Sequence, residues 1–260
     1  MMMMRRREFP SLWWSLLKND ILVWVGRKSS LGMLIGTILT VGVTLAWSDG
    51  GRAGHPLFIS VLGGPPVAVV FGRLGEGYGW PWLLVGVLFA WSVTGMMDTG
   101  SEWVGLVLVR EVSRIRWATA KLVSLAILAL GYVAILLLIL GIAVLFGWRS
   151  GPLVTSGTAW DVGLWAVGLV SIAWFEMAVS MVASALWLSV SLTTLLLVLA
   201  AFGGPLAPYV PFSQWIAELH NLPGTLSVSA GVLYLALWAS LSGATVVWVA
   251  HLRLAQNEPH

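Results

Sequence analysis

One uninterrupted apolar stretch constrains the fold of this chain more than any other feature. From Val162 to Phe202 the sequence runs 41 residues with a single charged side chain, Glu176. A straight helix of that length would measure about 60 Å, twice the ~30 Å thickness of the hydrocarbon core of a membrane. We therefore predict that the stretch folds back as two membrane spans, with the turn near Ser180 to Ser184.

The rest of the sequence is apolar in the same way. Hydrophobic residues make up 58% of the chain and charged residues 10%, and the mean hydropathy is +0.91. A water-soluble globule of this composition would expose large apolar patches, so the sequence predicts an all-α polytopic membrane protein. Its 260 residues accommodate about six spans of roughly 20 residues, with short loops and no separate soluble domain. The predicted spans are residues 29–47, 80–97, 122–146, 162–181, 184–202 and 226–250.

An amphipathic segment precedes the first predicted span. Within residues 8–27, apolar side chains recur at helical spacing, and polar ones fall elsewhere; the apolar ones are Phe9, Leu12, Trp13, Leu16 and Leu17, and the polar ones are Glu8, Ser11, Ser15 and Lys18. This pattern is typical of a helix that lies in the membrane interface. Because no compact apolar region with a small-residue cleavage site precedes the first long span, we expect the N-terminal segment to be retained rather than cleaved as a signal peptide.

Residues 57–72 are apolar enough to enter the membrane but carry Gly63, Gly64, Pro65 and Pro66 at their centre. A straight helix would break there. Counting this segment as a span would also place a strongly cationic loop outside the cell, against the positive-inside rule. We therefore predict that residues 48–79 form an extracytoplasmic or re-entrant loop and that both termini are cytoplasmic. Three of the 14 cations then lie outside, namely Arg52, Arg73 and Arg149.

The cationic loop, residues 98–121, carries Arg110, Arg114, Arg116 and Lys121 between two apolar runs. Arg110 and Arg114 are four residues apart, and such a like-charge pair destabilises an isolated helix by a few tenths of a kcal/mol. We therefore expect an anionic surface to face them. Anionic lipids of the inner leaflet attract each such cation by about 1 kcal/mol, and a cytoplasmic protein is the other candidate. The two partners are not mutually exclusive.

Motifs of catalysis and cofactor binding are missing from the sequence. It contains no P-loop of the form GxxxxGK[ST], no HExxH and no GxSxG, and it has no cysteine. The four histidines are scattered along the chain rather than grouped as metal ligands. We therefore predict no enzymatic activity, no catalytic residue, no cofactor, no metal site and no nucleic-acid partner for this chain. Any ATP would have to be hydrolysed by another subunit.

Glu176 is the one acidic residue that falls well inside a predicted span. A charged group at such a depth raises the free energy of insertion by roughly 2.5 to 3.5 kcal/mol, so it usually faces the bundle interior or water. One interpretation is a contact with a substrate or a proton in a translocation pathway. The other, which we favour at this point, is a carboxylate near the cytoplasmic interface that pairs with an arginine or a backbone donor.

The order of residues in the cationic loop resembles a known pattern. Glu102 and Gly105 are followed by an apolar stretch, then by Val112, Ser113 and Arg114, and then by Lys121 at the start of the next span. This order resembles the membrane subunits of ATP-binding-cassette exporters of the second permease type, with glycine one residue early and Glu111 where that family often has proline. The architecture is similar over the whole chain, whereas the motif is confined to residues 98–121.

The resemblance implies a permease that forms a homodimer or pairs with a sister permease. It implies binding of a cytoplasmic P-loop ATPase subunit and export of an amphipathic or hydrophobic substrate across the cytoplasmic membrane of a prokaryote. Residues 98–121 would be the coupling segment that docks the ATPase. The docking residues so implied are Glu102, Gly105, Arg110, Arg114 and Arg116.

Two further points stay open. Residues 209–221, before the last span, are either a re-entrant helix that acts as an outer gate or an interfacial helix anchored by Trp215. The alternative to a transporter is a membrane scaffold, such as an immunity or assembly factor, that uses the same cationic segment to hold a cytoplasmic protein without transport.

Overall fold

The computed structural model describes residues 9–47, 61–62, 80–108, 114–146, 159–202, 207, 209–215 and 227–255. All regular structure within these residues is helical. It includes seven α-helices and one short 3-10 helix whose bounds are described. The α-helices are α1 (Phe9–Gly26), α2 (Lys28–Trp47), α3 (Trp80–Leu108), α4 (Arg114–Leu145), α5 (Ala159–Ala183), α6 (Leu186–Phe202) and α7 (Val228–Ala255), and the 3-10 helix is Pro211–Trp215.

Several of these helices have the length and hydropathy of membrane spans. Ile115–Leu145, Ala159–Ala183 and Val228–Leu252 each satisfy both requirements within the described residues. The pair Trp14–Gly26 and Ser30–Ala46, bent by 64°, adds a fourth if it is counted as one broken span. The hydrocarbon core of a membrane offers no hydrogen-bond partners, whereas an α-helix pairs its backbone N–H and C=O groups within itself. The predictions of an all-helical fold and of a membrane protein are thus confirmed.

The two helices of the long apolar stretch are joined by a very tight turn. Helix α5 ends at Ala183, and α6 begins at Leu186. Ser184 between them has a φ of 54°, in the left-handed region. A residue in this conformation commonly ends a helix, and glycine is the usual choice there. In this chain the position is occupied by serine, so the sequence shows neither the glycine nor the proline that would usually indicate a turn.

Helices α3 and α4 extend beyond the predicted spans toward each other. Helix α3 continues to Leu108, eleven residues past the predicted end of the second span, and α4 begins at Arg114, before the predicted start of the third. At ~1.5 Å per residue they are about 43 and 48 Å long, more than a ~30 Å hydrocarbon core requires. Most of residues 98–121 is therefore helix continuous with α3 or α4, and residues 109–113 lie outside the described part.

Helix α5 lies at the centre of the bundle and runs parallel to α7. The Ser171 hydroxyl group donates to the carbonyl oxygen of Leu235 at 3.0 Å, and one turn further along the ring centroids of Phe175 and Trp238 are 5.7 Å apart. The residue numbers of the contacting positions increase in the same direction along α5 and α7, so the two helices are parallel. The parallel packing of α5 and α7 forms a large part of the core.

The 3-10 helix Pro211–Trp215 is packed inside the bundle. It contacts α5, α6 and α7, and Phe212, Ser213 and Gln214 are all buried. The Phe212 ring meets the Phe175 ring edge to face, with centroids 5.8 Å apart. Phe175 lies about 12 Å from the end of α5, by the helical rise per residue. Of the predicted segment 209–221, Phe212 to Gln214 are thus buried among three helices, whereas Tyr209 is 79% exposed, and residues 216–221 lie outside the described part.

Only Val61 and Leu62 are described within the predicted loop 48–79. Both are helical and buried. The Trp165 indole nitrogen donates to the carbonyl oxygen of Leu62 at 2.9 Å, which fixes these residues beside the first third of α5. The glycine and proline residues that guided the prediction lie outside the described part.

Candidate functional site

Glu176 lies on α5, seven residues before the helix ends, and its side chain is fully buried at 0% exposure. By the helical rise this places it about 10 Å from the α5–α6 turn. Its surroundings are largely apolar, because most residues of α3, α5 and α6 are apolar. The carboxyl group is thus held in an environment of low polarity, where unpaired polar atoms are unfavourable.

Two threonine hydroxyl groups, from different helices, face the carboxyl group. The Thr94 hydroxyl group on α3 donates to Oε2 of Glu176 at 3.4 Å, and it also lies 3.1 Å from the carbonyl oxygen of Ala90, its own helical neighbour. The Thr193 hydroxyl group on α6 lies close to the same carboxyl group. Helices α3, α5 and α6 therefore each contribute one polar side chain to a shared point.

The polar atoms at this point are not all satisfied. Oε1 of Glu176 and the Thr193 hydroxyl oxygen are buried and have no hydrogen-bond partner among the described residues. The Thr94 hydroxyl group has a single proton, shared between Oε2 and its own helix. The expected arginine or backbone donor is not found in the described part of the chain, where Thr94 supplies the one hydrogen bond to Glu176. We name Thr94, Glu176 and Thr193 the carboxyl site.

One turn further along, α3 and α5 meet again. The Ser180 hydroxyl group lies 3.7 Å from the Met97 sulfur and donates to the carbonyl oxygen of Met177 at 2.9 Å. Thr94 and Met97 of α3 thus contact Glu176 and Ser180 of α5 in the same order, so these two helices are also parallel. Methionine adapts its shape readily to irregular surroundings, which suits a junction between helices.

A second polar cluster joins the N-terminal helix to the start of α4. The Lys121 ammonium group lies 2.5 Å from Oδ1 of Asp20 on α1, and the Ser124 hydroxyl group donates to Oδ2 of Asp20 at 3.1 Å. The two charged side chains are only 13% and 12% exposed. We name Asp20, Lys121 and Ser124 the clamp.

The clamp was missed by sequence reasoning. Its signal was present, because Asp20 is a lone acidic residue between apolar runs and Lys121 stands at the predicted start of a span. Two isolated opposite charges, each followed by an apolar helix, are candidates for pairing across a bundle.

The predicted docking residues lie on both sides of residues 109–113. Glu102 and Gly105 belong to the last part of α3, and Arg114 and Arg116 to the first turn of α4. Arg116 is exposed. Arg110 lies outside the described residues.

A third polar contact, between α2 and α4, was also not predicted. The hydroxyl groups of Thr37 and Tyr132 are hydrogen-bonded to each other, and the Phe89 ring of α3 packs against the Tyr132 ring with centroids 5.1 Å apart. All three side chains are buried. This contact joins α2, α3 and α4.

These features define a polytopic helical membrane protein with a buried carboxyl group at a three-helix junction and an ion pair at one end of the bundle. Within the described residues, no group of three or more histidine, aspartate or glutamate side chains is placed to hold a metal ion.

A family model described as a protein of unknown function, DUF2705, matches residues 69–217, more than half of the chain, and the chain belongs to that family. The matched region includes residues 98–121 and Glu176. No curated protein and no solved structure matches the chain.

Proposed function

We propose that this chain is the permease subunit of an ATP-binding-cassette exporter. It moves an amphipathic or hydrophobic substrate across the cytoplasmic membrane, with energy from ATP hydrolysed by a separate cytoplasmic P-loop ATPase subunit. The chain acts as a dimer, with a second copy or with a sister permease. The resemblance of residues 98–121 to the coupling segment of such exporters is the sequence basis for this proposal.

The observation that carries the proposal is the clamp. A coupling segment has to transmit a displacement at its surface to the membrane helices, and it needs rigid attachments to do so. Lys121, at the end of the coupling segment, is held by Asp20 of α1 in a short, largely buried ion pair. A displacement where α3 meets α4 would be transmitted to α1 through this ion pair. It would then reach α2, which is separated from α1 by a single residue.

The proposed topology has six spans and both termini in the cytoplasm. In its support, α3 is parallel to α5, and α5 is parallel to α7, so α4 and α6 each have to run back between them. Helix α6, with 17 residues, is about 25 Å long and serves as the fifth span. The 64° bend between α1 and α2 suits an interfacial helix that turns into the first span.

Affinity purification from the native host tests the proposal. The tagged chain is extracted in mild detergent, and mass spectrometry measures whether a P-loop ATPase accompanies it in near-equal amount. We expect the double variant Arg110→Ala/Arg114→Ala to release the ATPase without lowering the level of the permease. The matched control is Arg52→Ala/Arg73→Ala, which removes the same charge on the side proposed to be external and should keep the ATPase bound.

Two results would contradict the proposal. An ATPase that stays bound to the Arg110/Arg114 variant would remove the docking assignment. A wild-type chain that purifies alone, or with a partner that lacks a P-loop, would favour the alternative, a membrane scaffold or immunity protein that holds a cytoplasmic partner without transport.

A further inference from the structure

The carboxyl site is incomplete as it stands. Glu176 is fully buried among apolar helices, and its hydrogen bond to Thr94 is long, at 3.4 Å. A carboxylate taken out of water without a counter-charge is strongly unfavourable. A buried carboxyl group avoids this cost by staying neutral, and a cation supplied from outside the chain would allow it to ionise at this point, where three helices each present a polar group.

The missing partner can be described from the unsatisfied atoms. Oε1 of Glu176 and the hydroxyl oxygen of Thr193 both lack a partner; a carboxylate oxygen only accepts hydrogen bonds, whereas a hydroxyl group accepts and donates. A group that pairs with an ionised Glu176 carries positive charge, and it satisfies both oxygen atoms if it donates two hydrogen bonds. An ammonium group meets both conditions, because it has three N–H donors and no acceptor.

A metal ion suits the site less well. The three side chains offer four oxygen atoms, and the Thr94 oxygen is already engaged with Ala90 and Glu176. Calcium takes six to eight oxygen ligands, and magnesium usually keeps several waters, whereas the described residues place no polar side chain at Glu176 besides Thr94 and Thr193. The ammonium group of an amphiphile needs fewer polar contacts. The hydrocarbon chain of the same molecule can pack against the apolar side chains.

The position of the site suits a ligand that is partly in lipid. Helix α6 separates Glu176 from the surroundings, since Thr193 is buried on the inner face of α6 while Leu195 and Trp187 of the same helix are largely exposed. A cationic amphiphile could therefore place its ammonium group on Glu176 by passing beside a single helix. Its hydrocarbon tail would remain among apolar side chains or lipid.

We propose that Glu176, Thr94 and Thr193 bind the ammonium group of a cationic amphiphile at the junction of α3, α5 and α6. The binding itself requires only this chain. The assignment of such amphiphiles as the exported substrate class rests on the function proposed above.

A binding measurement on the purified protein tests this inference. The chain is reconstituted into nanodiscs of zwitterionic lipid, and the binding of radiolabelled dodecylamine is measured against empty nanodiscs, with dodecanol as the neutral probe. We expect saturable binding of dodecylamine, near one per chain, and no saturable binding of dodecanol. Absence of saturable dodecylamine binding, or equal binding of the alcohol, would overturn the proposal.

Three variants assign the binding to the carboxyl site. Glu176→Gln keeps the shape and removes the charge, and we expect it to weaken dodecylamine binding roughly tenfold or more, because hydrogen bonds to charged groups are the stronger ones. Thr193→Val removes one acceptor and should weaken binding by a smaller factor. Ser191→Ala, on the exposed face of α6, is the control and should bind like the wild type. Unchanged binding by Glu176→Gln would exclude this site.

A chemical readout on the wild-type chain covers the case in which a variant does not fold. A hydrophobic carbodiimide modifies carboxyl groups within membranes, and peptide mass spectrometry measures the rate of modification at Glu176. We expect dodecylamine to slow that rate and dodecanol to leave it unchanged. Lack of protection by the amine would overturn the inference. Binding and protection in a chain that purifies without any ATPase would leave this site standing and remove the exporter assignment.

Discussion

The clamp is expected to be among the strongest single interactions in the bundle. Lys121 and Asp20 are 2.5 Å apart and about seven-eighths buried, and the Ser124 hydroxyl group occupies the second carboxylate oxygen. Exposed ion pairs contribute 0 to about 1 kcal/mol, whereas removal of one partner of a buried pair destabilises a protein by about 3–5 kcal/mol. With some exposure remaining, we expect about 2–3 kcal/mol for either single substitution.

A double-mutant cycle measures this prediction. The variants are Asp20→Asn, Lys121→Met and their combination, and the observable is the free energy of unfolding in detergent micelles. Each single change leaves one charge largely buried and unpaired, whereas the double change removes both charges. The double variant should therefore be less destabilised than the sum of the singles, with a coupling energy of about 1.5–3 kcal/mol. Ser191→Ala, away from the clamp, should leave the free energy of unfolding unchanged.

The reasoning fails if the two substitutions are additive, because additivity would mean that the side chains do not interact in the folded protein. The charge-reversed pair, Asp20→Lys with Lys121→Asp, provides a second check. It restores opposite charges at the same positions and should recover part of the stability lost in either single reversal. No recovery would indicate that the surroundings, rather than the partner, determine the effect.

Three further predictions follow from the backbone and the packing. Ser184→Gly should raise the free energy of unfolding by about 1 kcal/mol in thermal or chemical unfolding, because glycine adopts the left-handed conformation without strain, and a decrease would contradict this. Gly243→Ala should lower stability by about 1–3 kcal/mol, since the added carbon would lie 3.0 Å from the Trp174 ring, whereas Gly131→Ala, which meets nothing within 4 Å, should not. A cysteine at position 75 should react with a membrane-impermeant thiol reagent in intact cells and one at position 113 should not, and reversed labelling would refute the proposed topology.

The hydropathy pattern predicted the helical class well because lipid leaves the backbone few alternatives. The stretch from Val162 to Phe202 had to form two helices, since one helix of that length does not fit the membrane, and α5 and α6 are found there. The extent of the helices was less predictable. Charged and polar residues are compatible with a helix that continues into water, so the pattern could not show that α3 reaches Leu108 or that α4 begins at Arg114.

The polar contacts between helices could be predicted only in part. Glu176 was identified as a candidate because a charge inside an apolar run is conspicuous, but its neighbours Thr94 and Thr193 were not. Serine and threonine are common in membrane helices, where they often bond to their own backbone, as Thr40 does to Gly36. Nothing in the sequence separates such residues from those that face another helix. Their selection depends on helix rotation, which tertiary packing sets.

The clamp and the carboxyl site are connected through α5. Leu122 follows Lys121 of the clamp, and its carbonyl oxygen accepts a 2.9 Å hydrogen bond from the Trp174 indole nitrogen. Trp174 is two residues from Glu176 and packs against Gly243 of α7, where no side chain intervenes. A displacement of α4 at the clamp would therefore pull on α5 close to the carboxyl site. An energetic link between Lys121 and Glu176 thus has a short physical route, because one indole hydrogen bond connects their two helices.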